Sequence, residues 1–173
     1  IHWRDWSSDV CSSDLISLCI GCGMCERQCI MSHYGLSMKE AVLDDPLLRQ
    51  RCKSHRTPTI KAAVHCKQCE NAPCMAVCPV GAISRRDGRL IFVDEDRCIG
   101  CKECMIACPF GAVYLGDLPD GRSVATKCDL CVDTESGSPA CVKGCPKKAL
   151  RVVDEAELKA TTQRKLLAQA KAV

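Results

Sequence analysis

Four cysteines packed into eleven residues constrain this chain more than any other feature. Cys98, Cys101, Cys104 and Cys108 follow the spacing C-x2-C-x2-C-x3-C, and Pro109 comes next. Three thiolates so close in sequence can hold three corners of one cubane, whereas a zinc ion usually takes its four ligands as two separated pairs. The rigid proline directs the fourth cysteine elsewhere. The stretch therefore predicts a [4Fe–4S] site whose last cysteine serves a second cluster.

The same arrangement occurs four times along the chain. Repeat one lacks the closing proline because Ile30 follows its last cysteine, and repeats two and four have longer gaps before their third cysteine. We therefore expect four [4Fe–4S] clusters as cofactors. The predicted metal ligands are Cys19, Cys22, Cys25 and Cys29 in repeat one, Cys66, Cys69, Cys74 and Cys78 in repeat two, Cys98, Cys101, Cys104 and Cys108 in repeat three, and Cys128, Cys131, Cys141 and Cys145 in repeat four.

The cysteine content leaves two residues unassigned. The chain has 18 cysteines, and only Cys11 and Cys52 lie outside the repeats. A disulfide scaffold would not require this spacing, because cysteines so near in sequence bridge poorly. We interpret Cys52 as a buried structural thiol. Aromatic residues make up only 3% of the chain, which is little material for a conventional core. Inorganic clusters would fill the interior instead, and folding would then depend on metal.

Residues 1–15 are interpreted as a non-native leader. The string from Arg4 to Leu15 reads RDWSSDVCSSDL, which resembles the translation of a common sequencing-adapter oligonucleotide. On that interpretation the native N-terminus lies outside this sequence. A natural disordered tail is the alternative. In either case Cys11 matches no repeat and is not expected to bind metal, so these residues are left out of the fold prediction.

Cross-ligation between repeats predicts which cysteines share a cluster. Repeats two and three, close together in sequence, are expected to pair, and repeats one and four then pair over a long distance. Spacing alone also permits pairing of one with two and of three with four. The nested sets are Cys66, Cys69, Cys74 with Cys108; Cys98, Cys101, Cys104 with Cys78; Cys19, Cys22, Cys25 with Cys145; and Cys128, Cys131, Cys141 with Cys29.

Local signals predict a few elements between the repeats. Asp87-Gly88 lies between two apolar runs and predicts a hairpin, and Pro119-Asp-Gly121 predicts a turn. Leu36–Leu48 has some helical periodicity, interrupted by Pro46. Asp154 with Glu157 resembles a capping box and predicts a C-terminal helix. That helix would pack on its own domain or on a partner subunit.

Charged and titratable side chains near the ligands are given ordinary roles. Arg27, Lys102 and Lys127 could raise local cluster potentials, but we interpret them as solvated charges. The histidines at positions 33, 55 and 65 are interpreted as surface or hydrogen-bonded residues. The net charge is only +3, and the sequence has no basic cluster that would indicate a nucleic-acid surface.

Residues 16 to about 153 resemble the four-cluster electron-transfer subunits of molybdopterin oxidoreductase, formate dehydrogenase, hydrogenase, formate-hydrogenlyase and carbon monoxide dehydrogenase systems. The matching stretches are Cys66-Lys-Gln-Cys69-Glu-Asn-Ala-Pro-Cys74, Cys98-Ile-Gly-Cys101-Lys-Glu-Cys104, Ala125-Thr-Lys-Cys128-Asp-Leu-Cys131 and Pro139-Ala-Cys141. The resemblance implies an α+β fold of two ferredoxin-like 2[4Fe–4S] modules and the nested pairing. Residues 16–63 with 121–153 would form the outer module, residues 64–120 the inner module, and residues 154–173 a tail.

An electron-transfer role follows from the ligand count. Sixteen cysteines would saturate four cubanes, so no iron is left open for substrate, as Lewis-acid chemistry requires. We expect no catalytic residues. The chain would relay single electrons to or from a catalytic redox subunit, of the molybdopterin oxidoreductase, hydrogenase or carbon monoxide dehydrogenase type. The alternatives are an accessory or maturation protein for a hydrogenase or formate dehydrogenase, and a zinc-binding interaction module.

The expected location is the cytoplasm, because reduced cysteines in such number persist there. The sequence has no run of 18 apolar residues that would indicate a transmembrane helix, and no signal peptide is visible. The chain could still associate with a membrane through a partner. Export of the folded chain beside a signal-bearing partner is the alternative.

Overall fold

The computed structural model describes residues 9–10, 17–88, 90–135, 138–153 and 160. Its described part is an α+β fold of short helices and two-stranded antiparallel sheets. The helices are α1 Met24–Tyr34, α2 Pro73–Ala76, α3 Glu103–Ala107 and α4 Ala140–Lys143. The strands are β1 Asp9–Val10, β2 Cys52–Arg56, β3 Lys61–His65, β4 Ile83–Arg86, β5 Leu90–Val93, β6 Val113–Asp117, β7 Ser123–Lys127 and β8 Val152–Val153.

Three hairpins lead the chain into the cysteine repeats. The hairpin β2–β3 ends directly before Cys66, and β6–β7 ends directly before Cys128. The hairpin β4–β5 has its turn at the predicted Asp87-Gly88 and precedes Cys98. At the predicted turn after β6, Gly121 N donates to Leu118 O at 3.0 Å. Repeats two and four therefore begin directly after a paired strand, which fixes where their first thiol lies, whereas residues 94–97 separate β5 from repeat three.

Each helix carries the third cysteine of one repeat. In repeats two, three and four the helix stops after one turn, because the proline after the fourth cysteine cannot continue it. Repeat one has Ile30 at that position, and α1 continues for 11 residues to a left-handed Gly35. Cys29 consequently lies within a helix, unlike its counterparts. Helix α1 packs against α4, and α2 packs against α3.

The core contains few large side chains. Among the described residues, cysteine supplies nine of the 23 buried apolar residues. One apolar group joins Cys74 and Cys104 to Ile83, Ile91 and Val113. A second joins Cys25, Cys29, Cys52 and Cys141 to Leu150, and a third joins Cys66 and Cys128 to Leu130. All three groups therefore contain buried cysteines.

Two predictions about local structure are wrong or incomplete. Residues 36–50 form turns instead of the weak helix suggested by Leu36–Leu48, and the carboxylate of Asp45 accepts from the amide of Leu47 at 2.9 Å. The hairpin β2–β3 has no counterpart in the sequence analysis. The strand Cys52–Arg56 shows no apolar alternation, and the one local signal is Pro58 in its turn, where Thr57 N donates to Ile60 O at 2.7 Å.

Both ends of the chain lie largely outside the described residues. The interpretation of residues 1–15 as a leader concerns a segment of which only Asp9–Val10 is described, and this strand pairs antiparallel with Val152–Val153. The helix predicted from the capping box at Asp154 also falls outside the described residues, apart from Ala160. Of the gap before Cys141, Ser136 and Gly137 are outside them too.

Candidate metal centres

The four repeats share one backbone turn around their first cysteine. The second residue after that cysteine has a positive φ in every repeat, a conformation that residues other than glycine rarely adopt. The residues and their φ values are Gly21 at 66°, Gln68 at 50°, Gly100 at 67° and Leu130 at 61°. A Cβ on Gly100 would lie 2.5 Å from the Ser123 carbonyl oxygen, so only glycine fits there.

Backbone amides point at the sulfur atoms of seven predicted ligands. After the fourth cysteine of three repeats, the amide four residues on donates to its Sγ: Ala82 to Cys78 at 3.2 Å, Ala112 to Cys108 at 3.4 Å and Ala149 to Cys145 at 3.2 Å. Gln68 donates to Cys66 and Leu130 to Cys128, both at 3.4 Å. Ala125 donates to Cys98 and Arg51 to Cys29, both at 3.3 Å. Amides so placed stabilise thiolates, so this donor set fits cluster-bound cysteines.

Two cavities each bring together cysteines from two repeats. Cys19, Cys22 and Cys25 line the first cavity together with Cys145 from the far end of the chain. Cys98, Cys101 and Cys104 line the second together with Cys78. Within the described residues none of the 17 cysteines forms a disulfide. Each cavity thus presents four free thiols from two repeats to one space.

Several of the remaining predicted ligands influence one another's pKa values across repeats. Burial raises the pKa of Cys131 to about 11 and that of Cys141 further, and a negative Cys29 raises both. Burial also raises the pKa of Cys74, and the thiolates of Cys66 and Cys108 add to this. Burial raises the pKa of Cys128 and a negative Cys141 adds to this, and Cys69 lies close to Cys66 in sequence. The structure therefore brings repeat one to repeat four and repeat two to repeat three.

Cys52 is buried, as predicted, and it touches the ligands of two different sets. Its thiol donates to the carbonyl oxygen of Cys25 at 3.5 Å and packs against Cys29 and Cys141. Hydrogen bonds to Cys25 and Cys29 raise the pKa of Cys52 well above its ordinary value. The same contact is the main cause that lowers the pKa of Cys29 to about 5. Cys52 is therefore a neutral thiol that donates to thiolates.

Beside Cys29 lies an ion-pair network that the sequence analysis missed. His33 donates from Nδ1 to the Cys29 carbonyl at 2.7 Å and from Nε2 to Asp129 at 3.0 Å, and Arg51 donates to Asp129 at 2.5 Å. Burial alone would lower the pKa of His33, but these partners raise it to about 10. Burial would raise the pKa of Asp129, but His33 and Arg51 hold it at about 2. These hydrogen bonds confirm the prediction that His33 is a hydrogen-bonded residue.

Replacing Asp129 with asparagine should destabilise the protein by about 3 kcal/mol, because it leaves two cations in a poorly solvated site without their counter-charge. The Asp129 side chain is only 12% exposed, so its ion pairs are weakly screened. The measurement is the midpoint of urea-induced loss of visible absorbance without oxygen. Asp133→Asn is the matched control, because Arg86–Asp133 is an exposed pair that should change stability by about 0.5 kcal/mol or less. Equal effects of the two variants would contradict the prediction.

Two side chains next to predicted ligands, Lys127 and His65, are more deeply buried than the sequence predicted. Lys127 is 3% exposed, so its interpretation as a solvated charge is wrong. Its Nζ donates to the carbonyls of Ile91 and Cys128. His65 is 2% exposed, and neither ring nitrogen has a hydrogen-bond partner among the described residues. Burial lowers the pKa of His65 to about 3, so it is a neutral core residue. Both errors arise because each residue ends a strand that packs inward before its cysteine.

The other cations and histidines agree better with expectation. Lys102 is exposed. Arg27 is partly buried and donates to the Ala41 carbonyl at 3.0 Å. His55 is exposed on β2. None of the four described helices has the length or the apolar character of a membrane span.

Comparison with known proteins identifies related chains. A family model described as a 4Fe-4S dicluster domain matches residues 59–155, and a 4Fe-4S binding domain matches residues 16–31. YsaA of Escherichia coli (strain K12), provisionally named an electron transport protein, is 48% identical over 79% of this chain and 84% of its own length. Electron transport protein HydN of the same strain is 40% identical over 86% of this chain and 90% of HydN. Its formate hydrogenlyase subunit 2 is 36% identical over 86% of this chain and 84% of that subunit.

Proposed function

Because this chain belongs to the 4Fe-4S dicluster family of iron–sulfur electron-transfer proteins, we propose that it relays single electrons through four [4Fe–4S] clusters between a catalytic redox subunit and a second redox partner. The family and the electron-transfer role predicted from the sequence are confirmed, and so is the use of [4Fe–4S] clusters. The number of clusters, their ligands and the partner are the proposed part. When bound, each cluster supplies a one-electron couple tuned by net charge, hydrogen bonds to sulfur and solvent exposure.

The observation that carries this proposal is the meeting of cysteines from distant repeats. The cavity shared by Cys19, Cys22, Cys25 and Cys145 favours the nested pairing, and so does the cavity shared by Cys78, Cys98, Cys101 and Cys104. We assign the two other sets as Cys66, Cys69, Cys74 with Cys108 and Cys128, Cys131, Cys141 with Cys29. The packing of α1 on α4 and of α2 on α3 supports an outer and an inner ferredoxin-like module.

The contacts between these sets suggest an order for the relay. Cys25 of the first set and Cys141 of the Cys128 set pack in one apolar group. Cys128 packs with Cys66 in another, and Cys74 packs with Cys104 in a third. We infer that electrons pass in either direction from the Cys19 set through the Cys128 set and the Cys66 set to the Cys98 set. The chain's residues hold neighbouring sites close together and exclude water between them.

The two ends of this order are the most accessible. Of the cysteines in the described residues, only Cys22 and Cys101 are exposed, and they belong to the two terminal sets. The exposed apolar side chains Leu18 and Ile20 lie near Cys22 in sequence, and Ile99, Ile106 and Phe110 lie near Cys101. An exposed apolar patch beside a cluster ligand suits contact with a redox partner. We assign these two patches as the sites of electron exchange.

Ile106→Glu should lower the rate of electron exchange with the partner at the Cys101 end by about tenfold or more, as expected for loss of a central apolar contact. Ile106 is 80% exposed, so the change should leave the fold intact. The rate is measured by stopped flow with the partner isolated by co-purification, and reduction by dithionite serves as a partner-independent reference. Leu47→Glu, an exposed residue outside the repeats, is the matched control. An unchanged partner rate would place the contact elsewhere.

The partner and the location are inferred by analogy. The names of HydN and formate hydrogenlyase subunit 2 describe electron transport and a multisubunit enzyme system, which supports a catalytic partner for this chain. We infer that this partner is an enzyme of the molybdopterin oxidoreductase, hydrogenase or carbon monoxide dehydrogenase type. A cytoplasmic location is supported by the 17 described cysteines that form no disulfides.

Anaerobic purification tests the proposal directly. We expect about 16 irons per chain and a broad visible absorbance that bleaches on addition of dithionite. A stable stoichiometric complex with a catalytic subunit is expected in co-purification, whereas transient association with an immature enzyme would favour the accessory role. Zinc in place of iron, without colour, would contradict the relay, because zinc has no redox couple.

A further inference from the structure

Lys127 is a buried cation with no carboxylate partner among the described residues. Its side chain is 3% exposed, and lysine is almost never fully buried unless paired. Nζ donates to the backbone carbonyls of Ile91 and Cys128, the latter at 2.9 Å. No ion pair among the described residues includes Lys127. The two carbonyl dipoles therefore solvate the ammonium group, but they do not balance its charge.

The charges that can balance Lys127 are cysteine thiolates. Cys128 follows it directly in sequence and is buried. Ile91, whose carbonyl accepts from Nζ, packs in one apolar group with Cys74, which places the ammonium group near this second thiol. Cys128 and Cys74 belong to the two middle sets of the proposed relay. The positive charge therefore lies at the junction between the outer and the inner module.

We propose that Lys127 is a fixed internal counter-charge that raises the midpoint potentials of the two middle clusters, those held by the Cys128 set and the Cys66 set. The inference rests on the proposed four-cluster relay and adds a positioning residue to it. Reduction of either cluster adds one electron and one negative charge. A positive charge held nearby in a poorly polarisable interior favours that added charge.

Burial distinguishes Lys127 from the other cations beside ligands. Lys102 also lies next to a predicted ligand, Cys101, but it is exposed, so water and salt screen its charge. Desolvation of Lys127 is costly unless anionic clusters are present, since removing an ammonium group from water is unfavourable. The same electrostatic attraction acts in both directions, so the clusters stabilise the buried ammonium and the ammonium stabilises the reduced clusters.

The test is a reductive titration of the anaerobic holoprotein followed by EPR, on the wild type and on Lys127→Gln, Lys127→Arg and Lys102→Gln. Glutamine removes the charge but keeps a donor for the carbonyls, and arginine keeps the charge. We expect Lys127→Gln to shift two couples to lower potential, with a fall of at least tenfold in the equilibrium constant of reduction, or about 59 mV for one electron. Arginine should restore the wild-type values, and Lys102→Gln should leave all couples unshifted.

The outcomes separate this inference from the relay itself. Full iron content with unshifted couples in Lys127→Gln would overturn the role of Lys127 and leave the relay standing. An equal shift of all couples, or an equal shift in Lys102→Gln, would overturn it as well, because the effect would not be local. If Lys127→Gln lost its clusters, the test would rest on Lys127→Arg. Lower midpoint potentials in Lys127→Arg than in the wild type would overturn the role of Lys127. A wild-type iron content well below about 16 would overturn the four-cluster relay and this inference with it.

Discussion

The double variant Cys19→Ala/Cys145→Ala should lose no more iron than the more affected of its two single variants. In the nested pairing both residues hold the same cluster, although they lie 126 positions apart (145 minus 19) and line one cavity. Removing the second ligand of a cluster that is already lost costs nothing further. If each single variant loses the whole cluster, its iron content should fall by about four from about 16 per chain. The double variant should show the same fall. The measurement is iron per chain after anaerobic purification.

Sequential pairing gives a different result for the same double variant. If repeat one paired with repeat two and repeat three with repeat four, Cys19 and Cys145 would hold separate clusters, and the iron losses would add to about eight. Such additivity would reject the nested assignment. Cys11→Ala is the matched control, because this cysteine matches no repeat and its loss should leave the iron content unchanged.

Removal of iron and sulfide under reducing conditions should abolish the cooperative fold. Nine of the 23 buried apolar residues in the described part of the chain are cysteines, and the largest fully buried side chains are Ile30, Ile91, His65 and Val124. Without clusters these thiols would surround empty space or water, and Lys127 would be buried without its counter-charge. The remaining apolar contacts are too few to offset the conformational entropy of ordering the chain.

The measurement is far-UV circular dichroism of the cluster-free chain during urea titration. We expect no cooperative transition, whereas the holoprotein should show one that coincides with loss of visible absorbance. Reconstitution with iron and sulfide should restore both signals. A cluster-free chain that unfolded cooperatively near the holoprotein midpoint would contradict the metal-dependent core.

Elements with strong local signals could be predicted from the sequence. Asp87-Gly88 places a turn between β4 and β5, and the prolines after Cys78, Cys108 and Cys145 end their helices. The absence of a proline after Cys29 accounts for the longer α1. The hairpin β2–β3 could not be predicted in this way, because its strands are held by pairing and by packing of Cys52 and His65.

The site shows the same division between local and distant effects. Within a repeat, the turn after the first cysteine is fixed by a few backbone angles, so spacing alone indicates the type of cluster. The network of His33, Arg51 and Asp129 joins residues up to 96 positions apart, and no local pattern marks it. Lys127 is buried because β7 is covered along four successive residues, which the neighbouring residues in sequence do not reveal.

The sequence by itself therefore determined the family, the [4Fe–4S] chemistry and the electron-transfer role, because cysteine spacing is a property of short chain segments. Only the tertiary structure decided which cysteines from distant repeats lie together, that Lys127 and His65 are buried, and that Cys22 and Cys101 are exposed. These features arise where hairpins and helices far apart in the chain pack against one another. Packing sets the solvation of each charge and thiol, and that solvation is not encoded at any single position.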